Sequence, residues 1–309
     1  MSERPRLTSP KNGKTAESRL LPLSIAGAVC FVLATALGYG GWYFFGTHPE
    51  TPKPAPPPVV QTQTEPTPEP TPTAPARLAP AGELQVAGGE VALGGEGTGT
   101  PLRREFVQPF LVAETEVTNE QYREFVKARG YKAPAGWKDG DFPPGAALEP
   151  VAGVTWEDAV EYCKWLSGEV GAEVRLPTEA EWELAARGRE GLKYPWGNEW
   201  DDRAADCEES HGRVRAVKSF PAGKSPWGAY DMAGNVWEWV SDDARDEEGR
   251  PRTKDGVTMK IAKGGSAVEK RKFVSATSRF DELLPTSSKP GIGFRYVVIR
   301  TGGESSAQQ

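Results

Sequence analysis

The sequence predicts an α+β domain carried behind a membrane-spanning helix and a proline-rich spacer. Three observations predict it. An uncharged run extends from Leu20 to Phe45, a Pro/Thr-rich stretch covers 47–82, and the remainder, 83–301, sets three cap-signed helices ahead of short strands and glycine-punctuated loops. Helices grouped apart from scattered strands read as α+β rather than as alternating βα units.

Residues 1–19 are polar, with Arg4, Arg6, Lys11, Lys14 and Arg19 against Glu3 and Glu17. Segment 20–46 is long enough to cross a bilayer as a helix. Trp42, Tyr43, Phe44 and Phe45 crowd its far end, where an interfacial aromatic belt belongs. The cationic near flank predicts a cytoplasmic N-terminus, a single inner-membrane pass and a periplasmic domain. A cleaved signal peptide competes with this reading, but the apolar run is long for one. The proline-rich 47–82 buries no core and favours extended polyproline II. At about 3.1 Å per residue it holds a domain on the order of 100 Å from the membrane. A ligand for proline-binding modules is its other reading. A disordered tail is expected over 302–309.

Within 83–301, Leu84–Leu93 reads as a strand or hairpin and Phe106–Val112 as a short strand. Thr118-Asn119-Glu120-Gln121, Thr155-Trp156-Glu157-Asp158 and Thr178-Glu179-Ala180-Glu181 each open a helix. The cap hydroxyl accepts an orphan N–H, and the later side chain reaches back to the cap. Tyr122, Phe125 and Val126, then Ala159, Tyr162, Cys163 and Leu166, then Trp182, Ala185 and Ala186 follow at helical spacing. Gly130 and Gly188 are stops. Beyond Gly188 helix signals vanish. Met259–Lys263, Phe273-Val274 and Phe294–Ile299 read as short strands, and Asp242–Asp255 as an exposed loop.

The net charge of −6 leaves no basic footprint for nucleic acid. The densest motif is Gly228–Trp239, which packs Asp231 and Glu238 around a glycine turn. Carboxylates converging with turn carbonyls suit a hard cation such as calcium. The plainer reading makes Trp237 and Trp239 core and leaves both acids solvated.

The order of motifs is more specific than any one of them. Glu116-Val117-Thr118-Asn119, Pro150–Trp156, Arg175–Glu183, Tyr194-Pro195-Trp196-Gly197, Gly234–Trp239, Gly264-Gly265-Ser266 and Gly293-Phe294-Arg295 follow one another. This succession resembles the formylglycine-generating enzyme, or sulfatase-modifying factor, family over about 84–300. The resemblance implies a C-type-lectin-like fold low in regular secondary structure. It implies copper- and oxygen-dependent oxidation of a sulfatase cysteine to formylglycine. It also implies a structural calcium held by the side chains of Asp231 and Glu238 and the carbonyls of Gly234 and Val236.

One departure decides the expected chemistry. The family's oxidases hold copper through two cysteines shortly after Gly-Gly-Ser, whereas here Ala267–Val274 follows and no cysteine lies beyond Cys207. Bis-thiolate copper needs soft sulfur, so no copper and no formylglycine synthesis are expected. Only His48, in the spacer, and His211 are present, which excludes a two-histidine iron triad within one globular domain; no haem or non-haem iron is expected. His211 reads as a solvated loop residue. Export permits a Cys163–Cys207 disulfide, and a buried free Cys163 is the alternative. Lys263, Ser266, Lys270, Arg271, Lys272 and Arg279 are expected to line a ligand groove, or else a solvated strand edge. Arg295 reads as a buried arginine paired with an acid.

Three functions follow. The first is a membrane-tethered, non-catalytic domain binding an envelope protein, peptide or glycan in a bacterial periplasm. The second is a periplasmic tailoring enzyme, similar to siderophore-maturation relatives, with Glu269 and Ser266 as candidate catalytic groups. The third is a structural part of an envelope assembly.

Overall fold

Threonine sets the start of every α-helix among the described residues. In the computed structural model, which describes residues 82–95 and 100–300, α1 (Asn119–Arg129), α2 (Trp156–Val170) and α3 (Glu179–Arg187) all begin at reciprocal capping boxes. Thr118, Thr155 and Thr178 accept the N–H of Gln121, Asp158 and Glu181, whose side chains accept the cap N–H in return. Gly130 and Gly171 end α1 and α2 with φ of 57° and 69°, a left-handed conformation that glycine adopts without a Cβ penalty. The expected anchor, the proline-rich segment up to residue 81 and the expected tail lie outside the described residues. Among the described residues no helix is long and apolar enough to cross a membrane.

Two four-stranded sheets carry the rest. The first runs β1 (Glu83–Val86), β4 (Phe110–Ala113), β12 (Val297–Ile299), β5 (Glu173–Arg175), all antiparallel. The second runs β10 (Arg279–Leu283), β9 (Lys260–Lys263), β6 (Trp237–Asp243), β11 (Ile292–Gly293), with β11 parallel to β6. A hairpin of β2 (Gly89–Gly95) and β3 (Thr100–Val107) and a small pair, β7 (Thr253–Lys254) with β8 (Val257–Thr258), complete them.

Several expectations shift by one element. Leu84–Leu93 is two strands, broken at Gly88, whose φ is 69° and where a Cβ would lie 2.6 Å from the Val107 carbonyl oxygen. Phe106–Val112 likewise joins the end of β3 to the start of β4. Phe273-Val274 is no strand but the end of a 3-10 turn, Arg271–Phe273, and its continuation. The Trp237–Trp239 stretch is the buried start of β6, not part of a turn.

The core has two main bodies. Tyr122, Phe125, Tyr162, Trp165 and Phe294 make an aromatic cluster between α1, α2 and the chain before β12, with centroids 5.3–6.4 Å apart where they meet. Trp182, Leu184 and Ala185 of α3 pack with Val112, Val240 and Ile261, joining the two sheets. Each large apolar side chain so buried contributes about 1.5–3 kcal/mol.

Candidate functional site

Strand β9 delivers Lys263 and then Gly264-Gly265-Ser266. Both glycines have positive φ, 97° and 84°. A Cβ on Gly265 would lie 2.5 Å from the Phe273 carbonyl oxygen, so only glycine lets the chain approach the 3-10 turn this closely. Ser266 is buried, and its Oγ has no hydrogen-bond partner. Glu269 is half-buried; its Oε1 lies 3.4 Å from the Trp237 indole N–H that donates to it.

The expected basic groove comes apart here. Lys263 is buried, its Nζ 2.7 Å from Glu183 and 3.3 Å from Glu179. Arg279 Nε lies 3.0 Å from Glu179, and Arg103 Nη2 2.9 Å from it. Burial alone would push the Glu179 carboxyl up, but Lys263, Arg279 and Arg103 outweigh it and hold the group at about 2. Lys263 is therefore an internal ion-pair partner, while Arg279, bound to the same acid, lines with Arg103 and Asp242 a separate small cleft of mixed charge rather than a basic groove. Lys270, Arg271 and Lys272 sit on an exposed turn instead, with Arg271 3.0 Å from Asp202.

The concavity lies on the other side of Ser266. Gly291 backs onto Ser266: a Cβ built on Gly291 would be 3.8 Å from Ser266 Oγ. Gly291 belongs to the lining of a cleft of about 610 Å³ walled by loops 135–153 and 288–291. Asn119 anchors one wall, donating from Nδ2 to the Ala146 carbonyl at 2.9 Å and from its N–H to Glu149 O at 2.9 Å. The other wall is tied to β6, since the Trp237 N–H donates to Gly291 O at 2.8 Å. The lining is mostly proline, glycine and alanine, with Trp137 as its aromatic and Glu149 as its one charged residue. Trp137 is steadied edge-on by Phe142, 5.3 Å away, and by Tyr122, 6.1 Å away.

Asp231 and Glu238 do share one buried cluster, with Glu116 as a third acid. Arg295, fully buried as expected, donates to Glu238 through Nε and Nη2 at 2.7 Å each, and the Trp182 indole adds a third contact at 2.7 Å. Asp231 accepts the Lys218 N–H at 2.8 Å, and burial pushes its carboxyl up to about 6. Glu116 accepts from Asn235 Nδ2 at 3.0 Å through one oxygen, while its other oxygen is left without a hydrogen bond. Burial, then neighbouring Asp231, pushes Glu116 well above the usual carboxylate range. Fully ionised, the three acids would outnumber the one guanidinium, and the raised Glu116 and Asp231 carboxyls are the response to that crowding.

The proposed disulfide is not formed: both cysteines are free and buried. Cys163 belongs to the aromatic core, whereas Cys207 packs with Ala233 and Val274 in a separate small cluster. Burial pushes the Cys163 thiol up. Cys207 does approach the chain after Gly265 through Val274, but it is a single enclosed thiol. His211 is exposed, as expected, yet its Nδ1 lies 3.3 Å from the buried Asp206, which Arg215 also meets at 2.9 Å.

The sulfatase-modifying factor enzyme 1-like domain model matches residues 68–300. The chain belongs to this family. Within it, the chain is 30% identical over 271 residues to the inactive C-alpha-formylglycine-generating enzyme 2 of Bos taurus, covering 70% of this chain and 85% of that one. It is also 33% identical over 258 residues to the formylglycine-generating enzyme of Thermomonospora curvata, covering 60% and 82%. Among solved structures, PvdO from Pseudomonas aeruginosa superposes with a TM-score of 0.58 at 25% identity, covering 70% of this chain and 93% of that one. The relatives of this sulfatase-modifying-factor domain thus include proteins named as active and as inactive.

Sequence reasoning missed the cleft and the Glu179 network. The cleft walls have no hydrophobic period; Pro143-Pro144-Gly145 and Pro290-Gly291 carry only turn signals. The Glu179 network joins residues 76 to 100 positions apart, a separation that no local pattern encodes.

Proposed function

We propose that this chain is a membrane-tethered, non-catalytic sulfatase-modifying-factor domain that binds an envelope peptide or protein in the cleft beside Ser266. One observation carries the reading: the segment that follows Gly264-Gly265-Ser266 contains no sulfur, and the two thiols of the domain are buried in separate clusters. These residues do not fit a bis-thiolate copper centre. What persists is the glycine-built turn, a buried hydroxyl without a partner and an apolar cleft, which suit binding. The apolar run at 20–46 and the spacer supply the tether, raising the local concentration of the domain near its partner.

Calcium belongs to the same proposal as a structural ion. Asp231, Glu238 and the carbonyls of Gly234 and Val236 would hold it. The density of acid favours a cation there, and its role would be charge neutralisation; Arg295 already occupies both Glu238 oxygens and lies 4.0 Å from the Glu116 oxygen that has no hydrogen bond, so the ion would compete with that guanidinium.

The test combines two measurements on the full chain. Incubation with copper and cysteine-containing sulfatase peptides should give no formylglycine product by mass spectrometry. A photoreactive residue at Pro144 should cross-link an envelope partner in cells, and Gly136→Trp, which fills the cleft, should abolish the cross-link. Formylglycine formation would overturn the non-catalytic reading, and a cross-link indifferent to Gly136→Trp would overturn the cleft.

A second reading rests on Glu269, half-buried and held near Trp237. As a tailoring enzyme, the chain would use Glu269 as its acid. Glu269→Gln would then remove the cellular phenotype without lowering the melting temperature; an intact phenotype rejects it.

A further inference from the structure

We propose that a second, smaller cleft binds a small zwitterion, an amino acid or a dipeptide, with its ammonium on Asp242 and its carboxylate on Arg245. This cleft, of about 360 Å³, lies between β3, the start of α3, the loop from β6 to β7 and the start of β10. Its lining shares no residue with that of the cleft beside Ser266. It is therefore a separate site, and it stands whatever the first cleft binds.

Most of its charges are already matched. Glu179 and Arg279, whose side chains are 4% and 6% exposed, meet at 3.0 Å and form a built floor. Arg103 reaches Glu179 at 2.9 Å and Glu105 at 2.8 Å. Asp243 and Asp246 are answered by Lys260 at 2.6 Å and Arg250 at 2.7 Å. A satisfied polar network of this kind holds its members in fixed positions.

Two charges of the lining are left over. Asp242 accepts the Glu179 N–H at 2.7 Å through Oδ2, with the Ser241 hydroxyl at 3.4 Å. Among the described residues it has no ion-pair partner. Burial raises its carboxyl, and the nearby charges of Glu179 and Glu105 add to the rise. Arg245 donates from Nη1 to the Gly249 carbonyl at 2.9 Å, closing the loop on itself. Among the described residues it meets no carboxylate.

One carboxylate and one guanidinium open to the same cleft suit a ligand that carries both signs. A charge taken out of water needs a partner. A simple amine would answer Asp242 and leave Arg245 unmatched; a simple acid would do the reverse. A bare metal ion is repelled by the three guanidiniums of the lining. The guanidinium fork takes a carboxylate in two parallel contacts, and a carboxylate accepts an ammonium in the same charge-assisted way. The volume is at the low end for ligand clefts, which keeps the ligand to an amino acid or a dipeptide.

The test is saturation-transfer NMR on the full chain in nanodiscs, with L-alanine, L-alanyl-L-alanine, ethylamine and propionate as probes. L-alanine or the dipeptide should bind, and whichever binds more tightly tells a free amino acid from a peptide with free ends. Ethylamine and propionate, each with one of the two charges, should bind about tenfold more weakly or worse. Asp242→Asn keeps an acceptor for the Glu179 N–H, and Arg245 is exposed. Asp242→Asn and Arg245→Gln should thus keep the wild-type melting temperature, and each should weaken the tighter zwitterion about tenfold. Propionate should bind Asp242→Asn more tightly than it binds wild type, and ethylamine should do so with Arg245→Gln, because each change removes the charge that opposes that probe. A loosened loop would weaken all four probes together. If Asp242→Asn melts early, Arg245→Gln alone decides. No binding of either zwitterion, equal binding of zwitterion and single-charge probes, or zwitterion binding unmoved by Arg245→Gln overturns the proposal.

Discussion

Glu179 shows how much of this domain is decided by single residues. It is the first residue of α3, it is buried, and three cations reach it from β3, β9 and β10. The surrounding cations hold its carboxyl at about 2, below the ordinary value of 4.5. A depressed carboxylate stabilises the fold fully above the unfolded pKa and loses that contribution as pH falls through the folded one. The window is therefore about pH 4.5 down to about 2, and the amount is on the order of 3 kcal/mol. Glu179→Gln should flatten the acid limb of the melting temperature in that window. It should also lower stability at pH 7 by about 3–5 kcal/mol, because Lys263 and Arg279 would keep buried charge with too little to answer it. Urea unfolding across pH 2–7 checks both. An unchanged acid limb would mean that the network does not hold the ionised form.

At the scale of elements, the helices were legible and the sheets were not. A capping box is a four-residue signal, and all three boxes form as read. Thr178 is the most exposed to test, because Glu181 caps it and also grips Arg175 of β5 in two contacts of 2.7 Å. Thr178→Ala should lower stability by about 1 kcal/mol; the same change at Gln108, in the loop after β3, should do almost nothing. Thermal melts of the two variants compare them directly. Strands β5 and β10 escaped because three to five residues give no usable period, and their pairing with β12 and β9 is set at long range. The basic groove was misjudged for the same reason: Lys263 and Lys270 look alike in sequence, and only the distant Glu183 marks the first as internal. Gly265 was legible only as part of the Gly264-Gly265-Ser266 motif, not as a close approach of backbone. Gly265→Ala should destabilise by several kcal/mol, since the added Cβ meets backbone that has no room to give. A soluble, cooperative Gly265→Ala protein with the wild-type melting temperature would refute that packing.

The described domain as a whole is joined at its buried acids. Glu238 stands on β6 of one sheet, and Arg295 stands just before β12 of the other, so their pair spans the two layers. Arg295 also donates to the carbonyls of Ala113 at 3.1 Å and Tyr230 at 2.8 Å, tying in β4 and the glycine turn. Around this single guanidinium sit Glu116, Asp231 and Glu238. If calcium supplies the missing positive charge, stability must follow free calcium by mass action. At a hundredfold excess over the dissociation constant the gain is about 2.7 kcal/mol. For a domain of this length that is roughly 5–10 °C in melting temperature. Scanning calorimetry of the full chain should then show a fall of that size with a calcium chelator and its reversal by added calcium. If instead protons on Glu116 neutralise the cluster, the melting temperature at fixed pH is indifferent to calcium, and elemental analysis finds none. The two forms of neutralisation make opposite demands on one measurement, because a divalent ion needs the surplus negative charge of the ionised acids while a proton on Glu116 removes it.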